Sequence, residues 1–76
     1  MKVDITIDAK GMLCAMPILK TVQAVKEMKV GEILEVTATD QGIKPDIKNW
    51  CEMMGHELLD VQDKDGTIVI HLKKLK

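Results

Sequence analysis

The sequence predicts an α+β fold: a two-layer β-α-β-α-β-β sandwich with two helices on one face of a mixed four-stranded sheet. Three observations lead there. Apolar residues alternate with polar ones at 3–8 and again at 32–39, a stripe at helical spacing follows each of these segments, and an Asp-Gly step separates two further alternating segments near the C-terminus. Strands covered on both faces read as continuous apolar runs, so alternation implies a sheet with one polar face. Both helices must then share the other face, with the first β-α-β crossover parallel and right-handed.

Each element has its own signal. Val3, Ile5 and Ile7 alternate with Asp4, Thr6 and Asp8, the period of a half-buried strand. Residues 9–16 break that pattern around Gly11, and Pro17 opens a helix in which Ile18, Leu19, Val22, Val25 and Met28 form the apolar stripe. Lys20, Gln23, Lys26 and Glu27 face away from it, and the helix is expected to stop near Gly31, with Lys26 and Lys29 opposite the negative end of its dipole. In the segment from Glu32 to Thr39, Leu34, Val36 and Ala38 alternate with Glu35, Thr37 and Thr39 as a second strand. Asp40-Gln41-Gly42 is turn chemistry, and Ile47, Trp50, Cys51 and Met54 give a second helix from about Pro45 to Gly55. Leu58 to Gln62 and Thr67 to Leu72 flank Asp63-Lys64-Asp65-Gly66 as a hairpin.

Size and composition bound the function. Seventy-six residues make one domain over 1–76, whose core leaves a stability margin of only a few kcal/mol. No window approaches the roughly 18 consecutive apolar residues of a membrane span, and the N-terminus lacks the apolar stretch of a signal peptide, so a cytoplasmic location and no membrane partner are expected. A net charge of −1 gives no field to attract nucleic acid, and the clustered Lys73, Lys74 and Lys76 are expected to be solvated. With one Trp and no Phe or Tyr, the chain also lacks a platform on which bases stack, so no direct nucleic-acid partner is expected. Two cysteines without a leader point to reduced thiols rather than a disulfide framework.

The chemistry concentrates in Asp8-Ala9-Lys10-Gly11-Met12-Leu13-Cys14-Ala15-Met16-Pro17. A cysteine just before a helix start lies where backbone N–H groups have no intrahelical partners, and with the dipole these favour an anion. Such a setting lowers a thiol pKa from about 8.5 towards roughly 3.5–7.5, which raises the thiolate fraction at neutral pH. Gly11 lets the loop turn tightly, and Pro17 fixes the helix entry without losing a needed donor. The competing reading makes Cys14 a small buried hydrophobe at a strand-helix junction. No C-x-x-C pair offers a dithiol centre, and no base-and-orienter set suggests a Cys-His hydrolase.

Other candidates read as structural. Cys51 shares the stripe of the second helix and is expected in the core. His56 follows Gly55 past the helix end, where it could cap carbonyls or help a partner; His71 alternates with Ile70 and Leu72 and should lie on the polar sheet face. No zinc spacing joins these groups, so no metal is expected. Asp4, Asp8, Asp40 and Asp46 fit strand faces, turns and a helix start. Met12, Met16, Met28, Met53 and Met54 read mostly as flexible core filler, except that Met12 and Met16 bracket Cys14 and could form an apolar rim for a partner. Asp8 and Lys10 are secondary candidates for shaping that rim, with solvated surface as the alternative.

On these residues the chain resembles the TusA/SirA family of sulfur carriers over nearly its whole length. The family pattern of Asp, a short Gly-containing loop and Cys-Pro-x-Pro opening the first helix is matched by Asp8, Gly11, Cys14 and Pro17. Thr39-Asp40, Asp46-Ile47 with Trp50, and Gly55-His56-Glu57 are similar too. The resemblance implies the same β-α-β-α-β-β fold and a persulfide on Cys14, received from a donor such as a cysteine desulfurase and passed to an acceptor protein's thiol, without metal or organic cofactor. The chain departs from the pattern at Ala15, which replaces the first proline, keeps a backbone N–H and leaves the turn more mobile. A non-catalytic regulatory or interaction module, with a structural Cys14 and a binding patch around Met12 and Met16, is the alternative.

Overall fold

The computed structural model describes residues 1–13 and 15–76. Its elements run β1 (Ile5–Ala9), α1 (Met16–Glu27), β2 (Ile33–Ala38), α2 (Ile43–Met54), β3 (Glu57–Lys64) and β4 (Thr67–Lys73). This is the order expected from periodicity. The sheet order is β1-β2-β4-β3: β1 runs parallel to β2, and β4 lies antiparallel between β2 and β3. Strand β3 therefore takes the far edge, and the hairpin returns β4 to the middle.

Alternation sorts the two faces. Leu34, Val36 and Ala38 of β2 lie beside Leu72, Ile70 and Ile68 of β4, all fully buried. Helix α1 packs over β1 and β2, and α2 packs over β3, adding Val25, Ile43, Ile47 and Cys51 to the same core. The opposite face carries Glu35, Thr37 and His71, as the polar positions require. An irregularity in β3 between Leu58 and Asp60 shifts the register, so that Asp60 rather than Leu59 pairs with His71. Val61 is thereby returned to the buried side opposite Ile70.

The hairpin loop is tighter than the four residues marked out by the sequence. Both strands extend into it, leaving Asp65 and Gly66 at φ 50° and 86° as the two-residue turn. Positive φ at both positions matches the turn twist that suits right-handed strands.

Several expectations are corrected. Strand β1 begins at Ile5 rather than Val3, with Asp4 accepting the Ile33 N–H at 2.8 Å beside it. Helix α1 begins at Met16 and buries Pro17, Thr21 and Val25, so its buried face is rotated away from Leu19, which is half exposed. Thr21 takes a core position because its hydroxyl donates to the Pro17 carbonyl at 2.9 Å, satisfying the group that would otherwise be costly to bury. Helix α2 starts at Ile43, where the buried Ile43 side chain anchors the first turn ahead of Pro45. Met53 and Met54 are exposed rather than core filler, whereas Met28 is buried.

The helix ends show what local sequence conceals. Helix α2 stops at Gly55, φ 78°, where the Gly55 and His56 amides both reach the Cys51 carbonyl. Helix α1 ends at Glu27, short of Gly31, and its closing carbonyls are held from the far end of the chain. Lys74 Nζ donates to Val25 O at 2.8 Å and to Met28 O at 2.7 Å. Lys74 is thus a structural cap, not a solvated tail residue.

Candidate functional site

The loop between β1 and α1 is built by short hydrogen bonds from its own residues and from β2. Ala9 is fully buried and its carbonyl accepts the Met12 N–H at 3.2 Å. Asp8 Oδ1 accepts the Lys10 N–H at 2.9 Å, an Asx-type turn that redirects the chain as β1 ends. Gly11 adopts φ 79°, a conformation side-chain-bearing residues rarely adopt, and donates its N–H to Thr39 Oγ1 at 2.9 Å. Asp8 is further approached by Thr37 Oγ1 at 3.5 Å, while Lys20 Nζ lies 3.5 Å from the Asp8 carbonyl. The hydrogen bond from the Lys10 amide, ahead of the nearby Lys10 and Lys20 charges, holds the Asp8 carboxyl below its usual range.

Beyond Leu13 the chain enters α1 through Ala15, whose φ of −81° and ψ of −6° are already helical. The Met16 N–H donates to Leu13 O at 3.3 Å and the Leu19 N–H to Ala15 O at 3.0 Å. No acidic side chain lies in this first turn, so the positive end of the helix dipole is not offset locally by a carboxylate of the helix. Pro17 is buried and sits one position inside the helix, where a missing N–H costs nothing.

The residues singled out in the sequence fall into distinct places. Asp8, Lys10 and Gly11 shape the turn; Met12 packs against the core; Met16 is 50% exposed. Cys14, the expected nucleophile, lies outside the described residues. Sequence reasoning missed Leu13, 67% exposed, and Leu19, 50% exposed, which with Met16 give the region an apolar surface. It also gave Thr39 no structural task. The only available signal was a Thr at the end of a strand predicted to pair beside the loop, and that pairing is not local.

Cys51 makes an instructive contrast. It is buried among apolar side chains, and desolvation pushes its thiol up to about 11, so little thiolate exists near neutrality. Among the described residues, no group of three or more His, Cys, Asp or Glu side chains is arranged to hold a metal, and no helix is long and apolar enough to cross a membrane.

The fold is a two-layer β-α-β-α-β-β sandwich with one polar sheet face, and its β1-α1 loop is held by a glycine turn bonded to Thr39. Comparison with known proteins agrees with this architecture. The family described as sulfurtransferase TusA matches residues 5–74. YrkI of Bacillus subtilis is 43% identical over 74 residues, which cover 97% of this chain and 99% of YrkI. The sulfur carrier protein TusA of Pseudomonas entomophila is 38% identical over 71 residues, covering 93% of this chain and 89% of that one. A crystal structure of a SirA-like protein from Desulfitobacterium hafniense superposes with a TM-score of 0.85 at 25% identity, over 96% of this chain and 100% of the other. Some relatives are longer: the chain spans only 38% of the length of YrkF, also from Bacillus subtilis. The chain belongs to the TusA/SirA family of sulfur carriers.

Proposed function

We propose that residues 1–76 act as one carrier domain that accepts a sulfane sulfur on Cys14 as a persulfide and relays it to an acceptor thiol. The observation that carries this reading is the latched loop. Asp8 and Thr39 fix the backbone of residues 10 and 11, and the chain then runs through Cys14 into an α1 whose first turn has no carboxylate. The other thiol supports the assignment by contrast, since a desolvated Cys51 is a poor nucleophile.

In the loading step the Cys14 thiolate attacks the outer sulfur of a donor persulfide, for which a cysteine desulfurase is the fitting class. A bond forms between Cys14 sulfur and the transferred sulfur, and the donor cysteine leaves as a thiolate. In the delivery step an acceptor thiolate attacks the same outer sulfur and Cys14 leaves in turn. Electrons balance without net redox change, and neither displacement calls for a metal or organic cofactor. Met12 and Met16 shape the surface on which donor and acceptor dock, together with the exposed Leu13 and Leu19, while the buried Pro17 fixes the helix entry beneath it. The reading places the chain in the cytoplasm, with tRNA thiolation one of several pathways such a carrier can supply.

The test is intact-mass analysis after incubation with a desulfurase and cysteine. The native chain is expected to gain one reducible sulfur and Cys14→Ser none. Equal loading of the two, or an unloaded native chain, contradicts the proposal and favours an interaction module with an inert thiol.

A further inference from the structure

A cleft of about 170 Å³ opens between the C-terminal halves of α1 and α2, away from the loop at the start of α1. Val25 lies about 14 Å along the helix axis from Met16, at 1.5 Å per residue. The apolar wall comes from Val22 and Val25 of α1 and from Trp50 and Met54 of α2. Trp50 was expected on the buried stripe of α2, yet it is only partly buried and makes a tilted ring contact with His56, centroids 5.4 Å apart.

Among the described residues, the charged side chains that line the cleft are those of Lys26, Lys74 and Lys76, with no Asp or Glu side chain. Lys74 is held in place by the Val25 and Met28 carbonyls, and the Lys76 side chain lies against Gly55, its Cε 3.0 Å from where a β-carbon would stand. His56 Nδ1 accepts the Leu75 N–H at 3.2 Å, so the neutral ring carries its proton on Nε2. Burial and the neighbouring Lys74 and Lys76 lower the His56 pKa, which favours that neutral form. The rim therefore offers cations and donors around an apolar wall. The volume is below the roughly 300–1,000 Å³ of a typical small-molecule site and suits one large side chain.

We infer that this cleft is a second docking point, taking an acidic segment of a partner protein that inserts one large apolar side chain against Trp50 between flanking carboxylates. The site lies apart from the β1-α1 loop, so a partner held here leaves that loop free to meet a second thiol. Charge complementarity sets the encounter, and the apolar side chain sets the register. This goes beyond the carrier reading and does not depend on Cys14.

Trp50 is the chain's only Trp, Tyr or Phe, so its emission reports on the cleft directly. The probe is a synthetic pentapeptide with a central leucine flanked by aspartate and glutamate, titrated into the native chain, with amide chemical shifts recorded in parallel. A saturable change in Trp50 emission is expected, with shifted amides at residues 22–26, 50–56 and 74–76. Affinity is expected to fall about tenfold in Lys26→Glu and in Lys76→Glu, and to weaken with added salt. The proposal is overturned by an unchanged Trp50 signal, by equal binding of a central-alanine peptide or of free 4-methylpentanoate, or by amide shifts confined to residues 8–13. Concentration-dependent dimerisation that alone accounts for the Trp50 change also overturns it, by assigning the cleft to a second copy of the chain. Cys14→Ser is expected to bind the peptide as the native chain does. Failed sulfur loading with intact peptide binding then counts only against the carrier reading, and the converse only against this one.

Discussion

The Gly11 amide donates to the Thr39 hydroxyl at 2.9 Å, tying the loop after β1 to the end of β2 across 28 residues of sequence. The bond fixes a glycine whose φ of 79° few other residues adopt, two residues after β1 ends. A loop ordered in this way loses less freedom when a partner docks than one that must first be arranged.

Removing that acceptor tests its role. Thr39→Val is expected to cost about 0.5–1.5 kcal/mol in urea unfolding, the net value of one hydrogen bond, whereas Thr39→Ser retains most of it. The functional expectation is a slower sulfur-loading rate in Thr39→Val with recovery in Thr39→Ser, read by stopped-time mass analysis. Equal rates in all three chains would show that the tether serves stability alone.

Cys51 predicts the opposite separation. Its thiol is buried in the core and pushed up to about 11, so Cys51→Ala is expected to leave sulfur loading unchanged. Stability should fall by about 1 kcal/mol through the small cavity left behind. Chemical denaturation and intact-mass analysis of the same preparation check both halves, and lost loading in a folded Cys51→Ala chain contradicts the assignment of roles.

A pH prediction comes from the open face of the sheet. His71 Nδ1 lies 2.7 Å from Asp60 and Nε2 2.9 Å from Glu35, so both ring nitrogens face carboxylates and the doubly protonated ring fits best. Burial pulls the His71 pKa down, but hydrogen bonds and charges from Asp60 and Glu35 outweigh it and the net shift is upward. A raised folded-state pKa contributes stability that is fully present below the unfolded value of about 6.5 and is lost as pH rises through the folded value. His56, shifted downward, has the opposite sign, so the comparison must be between the native chain and His71→Gln. The stability difference between them is expected to be largest near pH 6 and to shrink on raising the pH above about 6.5, as measured by urea midpoints. A difference that grows with pH over that window would contradict the geometry.

Ala15 offers a test of loop order. Its φ of −81° is within reach of the proline value, so Ala15→Pro is expected to be tolerated at that residue and to keep sulfur loading. The expected change is in backbone order of residues 9–13, seen by amide relaxation, and in the relative rates with different partners. Unchanged order and unchanged transfer would leave Ala15 without a role in partner choice.

The extent to which the sequence foretold these features follows from the range of each interaction. Alternation in β1, β2 and β4 is a local pattern, so the layering, the polar face with His71 and the buried Cys51 were all legible. Asp8 and Lys10 were read as shaping a rim or as solvated surface, and the bond from the Lys10 N–H to Asp8 that turns the chain is seen only in the structure. Leu19 was misread because an apolar residue beside a stripe looks like part of it, and only the buried Thr21 bond to Pro17 shows which way the helix is turned. Thr39 and Lys74 act on residues 28 and 46 or more positions away, distances at which no periodicity carries information. Trp50 and His56 face a cleft completed by the C-terminal lysines, which composition alone had left in solvent.

The most direct measurement follows labelled sulfur through the chain. A desulfurase and sulfur-labelled cysteine load the protein, proteolysis maps the label, and an acceptor thiol is then added. The account predicts label on the peptide carrying Cys14, none on the peptide carrying Cys51, and its passage to the acceptor. Label found on Cys51, or label on Cys14 that no thiol can remove, would contradict it.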